Sequence, residues 1–142
     1  MAEYNFYHPI EVRYGDLDPQ GHVNNARFMT YMEQARIEYV RQSGLWESNS
    51  FQDIGIILAD AQVTFHAPIL YAQSVQVGVR VTRLGNKSMT MEYRIEETQT
   101  GQSFASGSTV IVTYDYHTER TIPIPDRWRQ IIAEMEDLTL DA

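Results

Sequence analysis

From Ala26 to about Ser43 the chain runs without glycine or proline, and Phe28, Met29, Met32, Ala35, Tyr39 and Val40 recur at spacings of three and four. That period puts them on one face of an α-helix, and such a face has to be buried. The sequence beyond it changes period. Val75, Val77, Val79 and Val81 alternate with Gln76, Gly78, Arg80 and Thr82, and Met91, Tyr93 and Ile95 alternate with Glu92, Arg94 and Glu96. Alternation at period two marks strands with one face turned inward. One long helix and one sheet must therefore cover each other.

The remaining elements fit that plan. Alternation from about Phe6 to Gly15 predicts a first strand, and Ile54 to Phe65 and Phe104 to Tyr116 predict two more. Leu84-Gly85-Asn86-Lys87 and Thr100-Gly101 read as turns between antiparallel neighbours. Asn24 or Asn25 is the natural N-cap of the long helix, and Gly44 ends it. After Pro123 to Pro125, a short closing helix carries Trp128, Ile131, Ile132 and Met135 as an apolar stripe, followed by an acidic, frayed tail. The order is strand, long helix, then a run of strands, which predicts an α+β fold with the helix on one face of a single antiparallel sheet.

At 142 residues the chain reads as one domain, residues 1–142. A chain of that length buries about 68–70% of its unfolded surface, enough for a core without disulfides. There is no cysteine, which excludes a disulfide framework, a zinc ribbon and a thiol nucleophile. Nineteen acidic residues against eleven basic give a net charge of −8, which repels a phosphate backbone, so no nucleic-acid partner is expected. No stretch approaches the roughly 18 apolar residues that span a bilayer, and the start, Met1 to His8, has no basic-then-apolar leader. The expectation is a cytoplasmic protein without a membrane partner. A sheet with one helix still has an open edge and a second face, so a homodimer or larger assembly is expected.

The chemistry concentrates in Asp16-Leu17-Asp18-Pro19-Gln20-Gly21-His22-Val23-Asn24-Asn25, directly before the long helix. As a calcium loop it starts well, but its twelfth position is Arg27 where a bidentate Glu is required. As a transition-metal site, Asp16, Asp18 and His22 match no helical ligand spacing, and no second histidine is near. The plain reading is a turn followed by a capped helix. The functional reading is a carboxylate beside a helix N-terminus, whose amides polarise a carbonyl oxygen while the carboxylate attacks it or takes a proton from water.

The run Arg13-Tyr14-Gly15-Asp16-Leu17-Asp18-Pro19-Gln20-Gly21-His22-Val23-Asn24-Asn25-Ala26-Arg27-Phe28, with Met32-Glu33-Gln34-Ala35-Arg36 after it, resembles the hotdog-fold acyl-CoA thioesterases of the 4-hydroxybenzoyl-CoA thioesterase-like family. The resemblance implies an antiparallel sheet curled around one long central helix. It also implies homodimers or homotetramers with sheets side by side, an active site at the subunit interface, and no cofactor or metal. It makes Asp18, not Asp16, the catalytic carboxylate, as nucleophile or general base, and the amide of Asn25 the group that polarises the carbonyl. Several bacterial members carry a histidine where this chain has Asn25. The Gly-His-Val-Asn-Asn wording is instead similar to long-chain acyl-CoA and plant acyl-ACP thioesterases, which implies a fatty acyl thioester of CoA or acyl carrier protein.

In that subgroup His22 and Asn24 orient substrate or water, the alternative being that both brace the loop. Arg83, Lys87 and Ser88, around the Gly85-Asn86 turn, lie where related thioesterases hold CoA phosphates, the alternative being a solvated hairpin. His66 reads as a packed or strand-edge histidine, and Tyr114, Tyr116 and His117 as core or interface. Two rival functions stay open: a hotdog dehydratase, although no second acid and base pair follows the helix, and a non-catalytic acyl-thioester binding protein.

Overall fold

The computed structural model describes residues 4–48 and 50–138. Strand β1 (Phe6–Ile10) leads through a 3-10 turn (Tyr14–Asp16) to α1 (Asn25–Gln42). A second 3-10 turn (Phe51–Asp53) precedes β2 (Ile56–Phe65), β3 (Val75–Leu84), β4 (Ser88–Glu97), β5 (Ser103–Asp115) and the two-residue β6 (Arg120–Thr121). Helix α2 (Asp126–Glu136) closes the described part of the chain. The strands pair antiparallel in the order β1-β3-β4-β5-β2, with β6 on β5. This is the α+β hotdog arrangement that the resemblance implies, a curled antiparallel sheet with the long helix against it.

The core forms as the two periods demand. Phe28, Met32, Ala35, Tyr39 and Val40 of α1 are buried, Met29 is half-buried, and Val77, Val79, Val81, Met91, Tyr93, Ile95 and Ile111 meet them from the sheet. Gly107 on β5 lets the helix come close: a Cβ there would lie 2.6 Å from Met32 Cε and 3.3 Å from the Gln62 carbonyl. From α2, Trp128 and Ile132 are buried, while Ile131 and Met135 of the expected stripe are half-buried. Glu136 ties the layers together, accepting from the Tyr39 hydroxyl at 2.6 Å and from the Val81 amide at 2.8 Å. Val81 lies past the last β1–β3 pair, Phe6 with Val79, and beside a slip in the β3–β4 register.

Several boundaries differ from the expected ones, each for a local reason. β1 ends at Ile10 rather than near Gly15, because the Arg13 amide turns to the Asp16 carboxylate instead of a neighbouring strand. β2 begins at Ile56, since Gly55 at φ +76° breaks the extended run. β5 stops at Asp115, whose Oδ1 accepts from the amides of His117 and Thr118 and so starts a turn. Tyr116 and His117 thus fall in that turn and are exposed, while Tyr114 is half-buried. Asn24 is the N-cap of α1, its side chain accepting from the Ala26 amide. The acidic tail beyond Leu138 lies outside the described residues.

Sheet edge β2 is open along most of its length, with Ile57, Leu58 and Phe65 exposed. Among the described residues no helix is long and apolar enough to cross a membrane.

Candidate active site

The Asp16–Asn25 loop folds into a small hairpin at the N-terminus of α1. Leu17 pairs with Val23, the Asp18 amide donates to the His22 carbonyl at 2.7 Å, and the Gly21 amide donates to the Asp18 carbonyl at 3.0 Å. The tip needs a left-handed residue and has one, Gly21 at φ +82°. Outside the hairpin, the Val23 amide donates to the Ile69 carbonyl at 2.9 Å and His22 pairs with Leu70, so the segment leading into β3 backs the loop.

Asp18 sits half-buried on the first arm. Its Oδ1 accepts from the amides of Gln20 at 2.9 Å and His22 at 3.2 Å, which fixes the carboxylate in place. Among the described residues Oδ2 has no hydrogen-bond partner, leaving one oxygen available to a ligand. The second arm runs into α1. There Asn24 takes the Ala26 amide on its side chain at 2.9 Å and the Arg27 amide on its carbonyl at 2.8 Å. The amide of Asn25, first residue of the eighteen-residue helix, has no acceptor among the described residues. It is a donor at the positive end of the helix dipole.

The structure thus brings Asp18, His22, Asn24 and Asn25 together on one hairpin. The His22 side chain is half-buried and its ring makes no hydrogen bond among the described residues, whereas the Asn24 side-chain oxygen is engaged as the cap. Arg83, Lys87 and Ser88 are placed elsewhere. Asp18's loop joins the end of the sheet where Ile10 meets Val75, while Arg83 lies near the other end of β3, Lys87 in the turn after it and Ser88 at the start of β4, about 25–30 Å away at 3.3 Å per residue. Their turn is pinned there by Arg129, whose guanidinium donates to the carbonyls of Gly85 and Asn86, and by the Thr113 amide donating to Lys87.

His66 is exposed at the end of β2, its Nδ1 2.7 Å from the Ser103 hydroxyl. Tyr14, just before the loop, and Leu70, which pairs with His22, are exposed, as are Tyr71 and Phe65, the latter against Phe28. A groove of about 380 Å³ runs along α1 past Thr30, Gln34 and Ile37, closed on its other side by Phe51, Ile57 and Leu58. Arg36 reaches it from below, nearly buried, donating to the Tyr93 hydroxyl at 3.2 Å, which in turn lies 2.6 Å from Thr109 Oγ1. Among the described residues no group of three or more acidic, His or Cys side chains is arranged to hold a metal ion.

Two residues that matter here escape a reading by period alone. Asp16 is 3% exposed and accepts from the Tyr31 hydroxyl at 2.8 Å and the Arg13 amide at 3.0 Å. Burial, then the hydrogen bond from Tyr31 to Asp16, push the Tyr31 hydroxyl well above the usual tyrosine range. The one available signal was position: Tyr31 precedes Met32 on the helix and so lies at the margin of its apolar face.

Comparison with known proteins places the chain in a family. A thioesterase complexed with coenzyme A and Zn from Thermus thermophilus is 35% identical, with a TM-score of 0.84 over 96% of this chain and 98% of that one. A predicted thioesterase from Bacillus stearothermophilus is 29% identical, with a TM-score of 0.82 over 92% and 95%. The long-chain acyl-CoA thioesterase FadM of Escherichia coli is 23% identical over 126 residues, 89% of this chain and 96% of that protein. The family model of the thioesterase-like superfamily matches residues 12–132, and the chain belongs to that superfamily.

Proposed function

We propose that the chain hydrolyses an acyl thioester, of CoA or of acyl carrier protein, to the free acid and the thiol. What carries this reading is the pairing of two unengaged groups on one hairpin: Oδ2 of Asp18 and the amide of Asn25. With the thioester oxygen at the Asn25 N–H, the negative charge that develops on it meets a fixed donor and the helix dipole. Asp18 then acts in one of two ways. As general base it takes a proton from water, and the hydroxide adds to the carbonyl and expels the thiolate. As nucleophile it adds to the carbonyl itself, expels the thiolate, and leaves an anhydride that water cleaves. His22, half-buried and bonded to Asp18 through its amide, with an unengaged ring, orients the substrate or the water, together with Asn24, whose side-chain oxygen caps the helix.

A fatty acyl group is the favoured substrate, supported by the long-chain acyl-CoA activity named for the Escherichia coli relative and by the groove along α1. The coenzyme A in the Thermus thermophilus thioesterase supports a CoA thioester as the carrier. We further propose a homodimer or homotetramer that pairs the open β2 edges. In an antiparallel pairing of two β2 strands, the loop end of one copy faces the Gly85-turn end of the other. Arg83, Lys87 and Ser88 would then serve the partner copy's substrate. We place the activity in the cytoplasm.

The test is thiol release from a panel of aryl, short, medium and long acyl-CoAs and acyl carrier proteins, with wild type and Asp18→Asn side by side. Turnover that the substitution abolishes supports the reading. Hydration of a crotonyl thioester without thiol release would make the protein a dehydratase, and tight binding without any reaction a binding protein. Light scattering that finds only 16.4 kDa particles would overturn the oligomer.

A further inference from the structure

The second carboxylate of the loop has a different environment from the first. Asp16 is buried and has contacts on every side: its Oδ2 accepts from the Tyr31 hydroxyl and the Arg13 amide, and its Oδ1 lies 3.7 Å from Arg27 Nε and 3.9 Å from Arg13 Nη2. Both of its oxygens face groups of the protein itself. Its backbone is engaged as well, for the Asp16 carbonyl accepts from the Asn24 amide at 2.8 Å. That bond closes the base of the hairpin, immediately below the Leu17–Val23 pair and immediately before Asn25.

Asp16 therefore sits where the two halves of the site meet. Asp18 lies two residues along one arm, and the Asn25 amide follows Asn24 on the other. A rigid base fixes the separation and angle of those two groups, but only if the base is itself fixed to α1. Tyr31 and Arg27 do this from the helix, one by a buried hydrogen bond and the other by charge. We propose that Asp16 and Tyr31 are positioning residues for the reaction, holding the hairpin on α1 so that the carboxylate of Asp18 and the amide of Asn25 address the same carbonyl. The inference rests on the thioesterase reading for its kinetic consequence, though not for its structural one.

The geometry sets the test. Tyr31→Phe removes one hydroxyl and keeps the ring, Asp16→Ala removes every side-chain contact, and Asp16→Asn keeps an oxygen that accepts from Tyr31. Measured well below each variant's melting temperature, kcat is expected to fall about 10- to 100-fold in Tyr31→Phe and further in Asp16→Ala, with KM changed less than threefold. Asp16→Asn should recover a large part of the loss seen in Asp16→Ala. Wild-type kcat in Tyr31→Phe and Asp16→Ala would overturn the proposal, as would a loss confined to KM.

A second readout needs no substrate and keeps the proposal separate from the activity. In amide NMR spectra of the free protein, Tyr31→Phe should shift the Gln20, His22 and Asn25 resonances and leave those of α2 in place. If wild type releases no thiol from any acyl thioester, the thioesterase reading falls, and these shifts still decide whether Tyr31 governs the hairpin. Unmoved loop resonances would overturn the positioning role whatever the kinetics show.

Discussion

The His22 amide donates to Oδ1 of Asp18 at 3.2 Å, while the Asp18 amide donates to the His22 carbonyl at 2.7 Å. This reciprocal pair gives the carboxylate two separate duties, one oxygen holding the turn and the other facing outward. An asparagine at this position keeps an oxygen for the first duty and loses the charge needed for the second. Asp18→Asn is therefore expected to lower thiol release by at least about 100-fold while shifting the melting temperature by less than about 2 °C. Parallel assays and thermal melts check both halves. A large loss of stability would mean the charge itself holds the loop.

The tip of the same hairpin makes a second prediction. Gly21 has open space where a Cβ would be, so a side chain would not clash, but its φ of +82° is unfavourable for any residue with one. Gly21→Ala should cost about 1 kcal/mol of stability from backbone strain alone, visible in denaturant titrations. If Asp18 acts through the geometry of this turn, kcat falls by more than that stability loss explains at temperatures where the variant is fully folded. An unchanged kcat would separate the tip from the chemistry.

How much of this was legible beforehand depended on the kind of signal. The buried faces of α1, β3 and β4 were readable because burying an apolar stripe imposes a period on the chain. An asparagine cap was readable because an amide before an apolar helix has little else to do, though the choice of Asn24 over Asn25 was not. The burial of Asp16 and Arg36 was not, since nothing local distinguishes a polar group that will find a partner. Tyr93 and Thr109, which complete the Arg36 network, are 57 and 73 residues further along the chain. The Gly85 turn was visible as a turn, yet its distance from Asp18 follows only from strand order and register.

Glu136 gives a prediction about how the layers are held. Its Oε2 accepts from both the Tyr39 hydroxyl and the Val81 amide, and burial followed by this hydrogen bond pushes the Tyr39 hydroxyl far above the ordinary tyrosine range. Glu136→Ala leaves two donors without an acceptor and should cost about 2–3 kcal/mol, whereas Glu136→Gln keeps one acceptor and should cost about half of that. In a double-mutant cycle with Tyr39→Phe, a coupling of at least about 0.5 kcal/mol is expected. Additive losses would show that Glu136 works through Val81 alone.

The last prediction concerns pH. His117 Nε2 lies 2.8 Å from Asp53 Oδ1, and the Ser48 hydroxyl donates to Asp53 Oδ2 at 2.6 Å, so Asp53 joins the turn after β5 to the segment before β2. Asp53, and more weakly Asp115, raise the His117 pKa above the ordinary histidine value, while the hydrogen bonds from Ser48 and His117 lower that of Asp53. A raised histidine pKa means stability that is fully present below the unfolded value of about 6.5 and lost as pH rises through the folded one. A lowered carboxylate pKa means stability present above the unfolded value of about 3.9 and lost as pH falls through the folded one. The pair therefore contributes most between about pH 4 and 6.5. Both groups are solvent-exposed, so the effect is small and shrinks with added salt. The melting-temperature difference between wild type and His117→Gln should be largest near pH 5–6 and fall away by about pH 8.5. A difference that stays constant across that range would mean the contact is packing rather than charge, and one that grows towards alkaline pH would reverse the assigned sign.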